Sequence, residues 1–182
     1  MAFTNTPLFG GAITVDLPSN FGDASQIRQI PDHQEVYLDN DGYSSIVVEI
    51  LEYVRKPSDG EALQHHFADL VDGTGDHTNI LVQSDEAMAK VPGKPVLALT
   101  FIQTPQPEPR RKIPEFVYVH LFLLRLKEKA TDMMVSINVP HYAGEYEKAQ
   151  NGGETKLMKD SATVRSQILQ SFEIKDWGLF DG

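Results

Sequence analysis

Acidic and amide side chains gather in two stretches that otherwise favour strands. In SSIVVEILEYV (44–54), Glu49 and Glu52 interrupt a run that is apolar at nearly every other position. In IPDHQEVYLD (30–39), Gln34 and Glu35 directly precede Val36 and Tyr37, behind the turn residue Asp32. A carboxylate fully buried without a partner costs on the order of several kcal/mol. These acids must therefore reach solvent, a counter-charge or a binding surface. A spacing of three on a regular strand puts Glu49 and Glu52 on opposite faces, and only a bulge or a strand end would let them share one. An internal ion pair with Arg28 or Arg55 is the alternative.

Other chemistry is poorly supported. The glycines of GGA at Gly10 precede a strand, and the spacing GxGxxG of a dinucleotide site is absent. PGK at Pro92 fails as a phosphate loop, because Met88 stands where its first glycine belongs and Pro95 replaces the magnesium-binding hydroxyl. DGTGDHT from Asp72 has His77 where a calcium loop needs glycine and Gln83 where it needs a bidentate Glu. His65 and His66 are neighbours on a helix and point about 100° apart, so they cannot form a one-faced metal pair; His65 with Asp69 lacks a third ligand. No GxSxG elbow marks a nucleophile, and without cysteine there is neither thiolate nor disulfide. No metal or cofactor is expected. Two rivals stay open: a small-ligand or lipid module with a pocket between sheet and helix, and a hydrolase whose Ser, His and Asp are assembled by the fold.

The net charge of −10 is unevenly placed: up to Ala89, 15 acidic side chains face only Arg28, Arg55 and Lys56, whereas beyond it 11 acids face 13 bases. Such a front half repels a phosphate backbone and steers in a basic protein, so a protein partner is expected and nucleic acid is not. No stretch approaches the ~18 apolar residues of a membrane span. MAFTNTPLFGGAITVDLP lacks the basic and apolar regions of a secretion signal, so a monomer of the cytosol or nucleus is expected.

The positioning elements follow from periodicity. One domain, 1–182, is expected, with no repeat or long linker. Residues 12–17 read as a first strand, ended by Pro18. Asp23 reads as an N-cap, with a capping-box-like Gln26, of a helix of about two turns stopped by Pro31. Residues 35–38 form a short strand, and 44–54 suit a central strand covered on both faces. Residues 60–71 form a helix presenting Leu63, Phe67, Leu70 and Val71. TNILVQS, KPVLALTFIQT, EFVYVHLFLLRLKEK and TDMMVSINVP give four more strands, and 141–155 a long loop or frayed helix. A last helix over 158–172 presents Val164, Ile168, Leu169 and Phe172, with Trp177, Leu179 and Phe180 tucking the tail down. The sum is an α+β fold, a mostly antiparallel sheet of about six strands with helices on both faces.

LFGGAI (8–13), Leu17-Pro18, FGDASQIRQIPDHQEV (21–36), SSIVVEILE (44–52), HFADL (66–70), LLRL (123–126) and TDMMVSINVP (131–140) stand in the order of the landmarks of one family. The chain resembles the Ran guanine-nucleotide release factors of nuclear transport. That resemblance implies an α/β/α sandwich akin to the extrinsic oxygen-evolving photosystem proteins. It further implies binding to the small GTPase Ran, release of its guanine nucleotide without covalent catalysis, support of nuclear protein import, and presence in nucleus and cytoplasm. On the same ground the acidic binding surface would include Glu49 and Glu52, with Asp32, Gln34 and Glu35 beside them.

Overall fold

A computed structural model describes residues 1–144 and 155–181. The strands are β1 (Phe3–Leu8), β2 (Ile13–Pro18), β3 (Phe21–Asp23), β4 (Gln34–Asp39), β5 (Ser45–Glu52), β6 (His77–Glu86), β7 (Val96–Thr104), β8 (Phe116–Leu126), β9 (Thr131–His141) and β10 (Glu173–Ile174). The helices are α1 (Asp59–Val71) and α2 (Lys156–Ser171). Seven strands form one antiparallel sheet in the order β3-β4-β5-β9-β8-β7-β6, and β1-β2-β10 form a separate small sheet. The α+β class and the helix on each face match the expectation from sequence. The first strand lies in the small sheet and not in the large one.

Alternation along the strands divides the apolar side chains into two cores. Ile46, Val48, Phe122, Leu124, Met133 and Val135 face Val164, Ile168 and Leu169 of α2 and Val15 and Leu17 of β2. On the other face Leu99, Phe101, Leu121, Leu123 and Met134 pack against Ala62, Leu63 and Phe67 of α1. Complete burial of each such side chain is worth roughly 1.5–3 kcal/mol.

Four local expectations are corrected. The segment after Asp23 makes only a 3-10 turn, Ala24–Gln26, because the Asp23 carboxylate accepts from Ser25 N at 2.9 Å and closes a tight turn. Too few residues remain before Pro31 for a helix to propagate from its unfavourable first turn. On α1 the buried face is Ala62, Leu63, His66 and Phe67, while Leu70 is 44% exposed. Over most of its length β5 is covered on one face only: Ile46 and Val48 are buried, and Ser45, Val47 and Glu49 are half-exposed, while Leu51 at its end packs against the core under α1. β1 was concealed by its polar residues and by Pro7, which is tolerated because β1 is an edge strand. The expected loop over 141–155 falls largely outside the described residues; His141 ends β9, and the Thr155 hydroxyl caps α2 by accepting from Met158 N at 3.1 Å.

Candidate functional site

The uncovered part of the sheet is the candidate site. α1 lies over β7, β8, the start of β9 and Leu51 at the end of β5 and stops there, so the sheet face on its side stays open over β4, the first part of β5 and the rest of β9. Along β9 this face passes from buried Met134 to half-exposed Ser136 and Asn138, a change from apolar to polar where the cover ends. The resulting groove has a volume of about 290 Å³. Val36 and Val47 line its floor, and Gln34, Glu49, Arg28 and the exposed Leu70 line it as well.

Gln34 and Glu49 are direct neighbours across the β4–β5 ladder. The Glu49 carboxylate is 23% exposed, and its one ion-pair partner among the described residues is His33 Nε2 at 3.5 Å. His33 is itself half-exposed, so this contact is solvated and weak. Asp32 is exposed in the turn that leads into β4. Gln34 and Glu49 thus share the open face, with Asp32 in the turn two residues before Gln34.

The other two acids lie elsewhere. The pairing of β5 with β9 runs from Ser45 to Glu52 without a register shift, so Glu52 projects from the opposite face to Glu49, where it is exposed. Glu35 likewise faces away from Gln34, and its Oε1 accepts a hydrogen bond from Phe9 N at 2.8 Å. Phe9 has a φ of 50°, a left-handed conformation disfavoured for a non-glycine residue, and Glu35 helps to hold it. Beside it, burial and the charges of Asp23 and Glu35 push the Tyr37 hydroxyl up to about 12. Among the described residues, neither Arg28 nor Arg55 forms the internal ion pair that the sequence offered as an alternative.

Two buried polar clusters escaped the sequence reading. Arg125 Nη1 donates to Asp132 Oδ2 at 2.8 Å and Oδ1 at 3.1 Å, and its Nε donates to Asp59 Oδ1 at 3.2 Å. His66 Nε2 lies 2.7 Å from the same Asp132 carboxylate, which also accepts from Val54 N at 3.1 Å. This cluster joins α1 to the β8–β9 hairpin under the covered half of the sheet. Its signal was available: Arg125 and Asp132 are lone charges in apolar strands, seven residues apart across a tight turn.

On the α2 side, His120 Nε2 is 3.1 Å from Ser161 Oγ and Nδ1 is 2.9 Å from Thr100 Oγ1. Burial, with a contribution from Arg165, lowers His120 to about 4, so the ring is neutral. Ser161 is buried and donates its proton to Met158 O at 2.6 Å, and a threonine occupies the orienting position that a hydrolase gives to a carboxylate. The geometry is that of a satisfied core and lends no support to a hydrolytic site. The space between the sheet and α2 measures about 100 Å³, below the roughly 300–1,000 Å³ of small-molecule sites. Among the described residues no group of three or more His, Asp or Glu is arranged to hold a metal, and no helix is long and apolar enough to cross a membrane.

Comparison with known proteins gives a consistent set of matches. Residues 6–140 match the family described as Mog1, Ran-interacting Mog1 protein. The chain is 31% identical to nuclear import protein MOG1 of Saccharomyces cerevisiae, over 95% of this chain and 83% of that protein. It is 28% identical to the probable ran guanine nucleotide release factor of Dictyostelium discoideum, over 98% of this chain and 96% of that one. The crystal structure of the Saccharomyces cerevisiae Ran-binding protein Mog1p superposes with a TM-score of 0.79 at 27% identity, covering 99% of both chains.

Proposed function

The chain belongs to the family of Ran-interacting Mog1 proteins, and on that premise we propose that it binds the small GTPase Ran and promotes release of its guanine nucleotide in support of nuclear protein import. Relatives whose names carry that role align with nearly the whole chain. The whole of 1–182 acts as the Ran-binding domain, as a monomer that works in nucleus and cytoplasm.

The observation that carries the choice of surface is the half-exposed Glu49 carboxylate on an open sheet face, beside Gln34. A basic segment of Ran laid on this face displaces the weak His33 contact and gains a charge pair over the apolar floor of Val36 and Val47. Carboxylates presented there compete with the bound nucleotide's phosphates for Ran's cationic groups, and release follows as a shift in Ran's population toward the nucleotide-free state. This chain breaks no covalent bond. Exposed Glu52 adds to the long-range attraction, and Glu35 acts by holding the Phe9 turn.

The test is release of a fluorescent GTP analogue from Ran, with capture of Ran in each nucleotide state at low and raised salt. Glu49→Lys is expected to slow release at least about tenfold, the loss of one close charge pair. Capture by the wild type is expected to weaken as salt rises. Equal release rates for wild type and variant would remove Glu49 from the mechanism; no capture in either state would remove Ran as the partner.

A further inference from the structure

The two sheets end in four edge strands, and three of them resist pairing by their own build. β3 has three residues and β10 two, while β1 carries Pro7. Brevity and proline are the usual means by which an edge avoids accepting another chain. β6 has neither. It is ten residues long, outermost in the large sheet, and free of Pro, Lys and Arg. At its centre Ile80, Leu81 and Val82 are 45%, 47% and 53% exposed. Its one irregularity is a register shift between Ile80 and Val82, which bends the strand locally and leaves four paired residues on one side and five on the other. Among the described residues no element pairs with its outer side, so alternate backbone N–H and C=O groups point to solvent.

The segment that carries this edge is acidic. From residue 57 to residue 89 the chain contains no Lys or Arg and seven Asp or Glu. Arg125 and Arg165 engage Asp59 and Glu86, whereas Asp85 within β6 and Asp72 at the end of α1 are exposed. A hydrogen bond of 2.8 Å from Gln64 to Gln83 ties α1 to β6, so the acids of helix and strand border one surface.

We propose that β6 is a docking edge for an extended, largely apolar segment of a partner protein, flanked by Lys or Arg, which adds to the sheet as a further strand. Main-chain hydrogen bonds to β6 supply the attachment, Ile80 on the α1 face and Val82 on the opposite face the side-chain contacts, and the acids of the segment the preference for basic flanks. A second copy of this chain is a poor occupant, because it brings the same acids and another net charge of −10. The edge is separate from the open face at Glu49, which lies over β4 and β5 at the other side of the sheet.

The experiment titrates the full chain into a fluorescein-labelled peptide of Val and Thr with Lys-Arg at both ends. One copy of the peptide is N-methylated on alternate amides and another has Glu at both ends. Saturable anisotropy is expected for the first peptide, with affinity weaker by about tenfold or more for each altered copy, the loss of one or two hydrogen bonds or of the charge match. Ile80→Lys with Val82→Lys is expected to weaken binding at least about tenfold while leaving thermal unfolding near wild type, since both sites are exposed. Glu49→Lys is expected to leave peptide affinity unchanged, and amide exchange of residues 80–82 to slow on binding. Absence of saturable binding, equal affinity for the N-methylated copy, or loss of affinity in Glu49→Lys would each overturn the proposal, as would self-association of the chain alone through β6.

Discussion

The same face of one sheet carries charge in two ways. Under α1, Arg125, Asp132 and His66 are almost wholly buried and satisfy one another. On the adjacent strand, one step along the same face, Glu49 stands half-exposed with a solvated histidine as its partner. The cover makes the difference: where a helix excludes water, an ion must be matched within the fold, and where the helix stops, an ion is left for a partner. Position under or beyond α1 therefore separates structural acids from candidate binding acids, although their residue types are the same.

The sharpest way to break that comparison is to unmatch the covered half. Asp132→Ala leaves Arg125 and His66 buried without their shared carboxylate and is expected to destabilise the fold by about 3–5 kcal/mol, read as a lower urea midpoint at unchanged slope. The paired change Arg125→Met with Asp132→Leu is expected to recover most of that loss, since it removes the charges together. If Asp132→Ala unfolds at the wild-type midpoint, burial does not distinguish the two halves.

The α2 side offers a milder test of closure. His120 is held neutral, its value lowered from 6.5 to about 4 by burial and Arg165. The unfolded chain takes up a proton as pH falls through 6.5, whereas the folded chain takes it up only near 4. The unfolded state binds more protons in that window, so stability falls as pH drops from about 6.5 to about 4, by at most about 3 kcal/mol from this group. Unfolding of His120→Gln followed over the same range is expected to show a flatter pH dependence. An identical slope would mean that the ring is not kept neutral.

The open half should respond in binding and hardly in stability. Val47→Tyr fills the groove floor with a good strand-forming side chain and is expected to change unfolding by less than about 1 kcal/mol while weakening Ran binding about tenfold. Titration calorimetry together with a melting curve separates the two effects. Large destabilisation without any change in affinity would place Val47 with the covered residues.

Much of this division was legible in the chain. The alternation of β7, β8 and β9, the apolar stripe of α2 and the rule that Glu49 and Glu52 face opposite ways all follow from strand and helix periods. What periodicity does not contain is the lateral position of α1. Leu70 fits the apolar stripe of α1 yet lies at the groove, and Val47 reads as part of a strand covered on both faces although it lines an open one. Ser136 and Asn138 were the local sign that cover ends, and their meaning depends on a helix more than sixty residues earlier in the chain. Pro7 hid β1 for a different reason, since a proline argues against a strand until the strand is known to be an edge.

The smallest expected effect is the most discriminating for the proposed surface. Glu52→Lys makes the same charge change as Glu49→Lys three residues along the same strand, but on the opposite face and in solvent. If the open face is the contact, Glu52→Lys alters only long-range attraction, so nucleotide release at physiological salt is expected to stay within about twofold of wild type, with the residual difference shrinking as salt rises. A loss equal to that of Glu49→Lys at every salt concentration would require Ran to reach around the end of β5 and touch both faces of the sheet. The contact would then centre on the strand end and the Tyr53–Ser58 connection, and the groove over Val36 and Val47 would not be its floor.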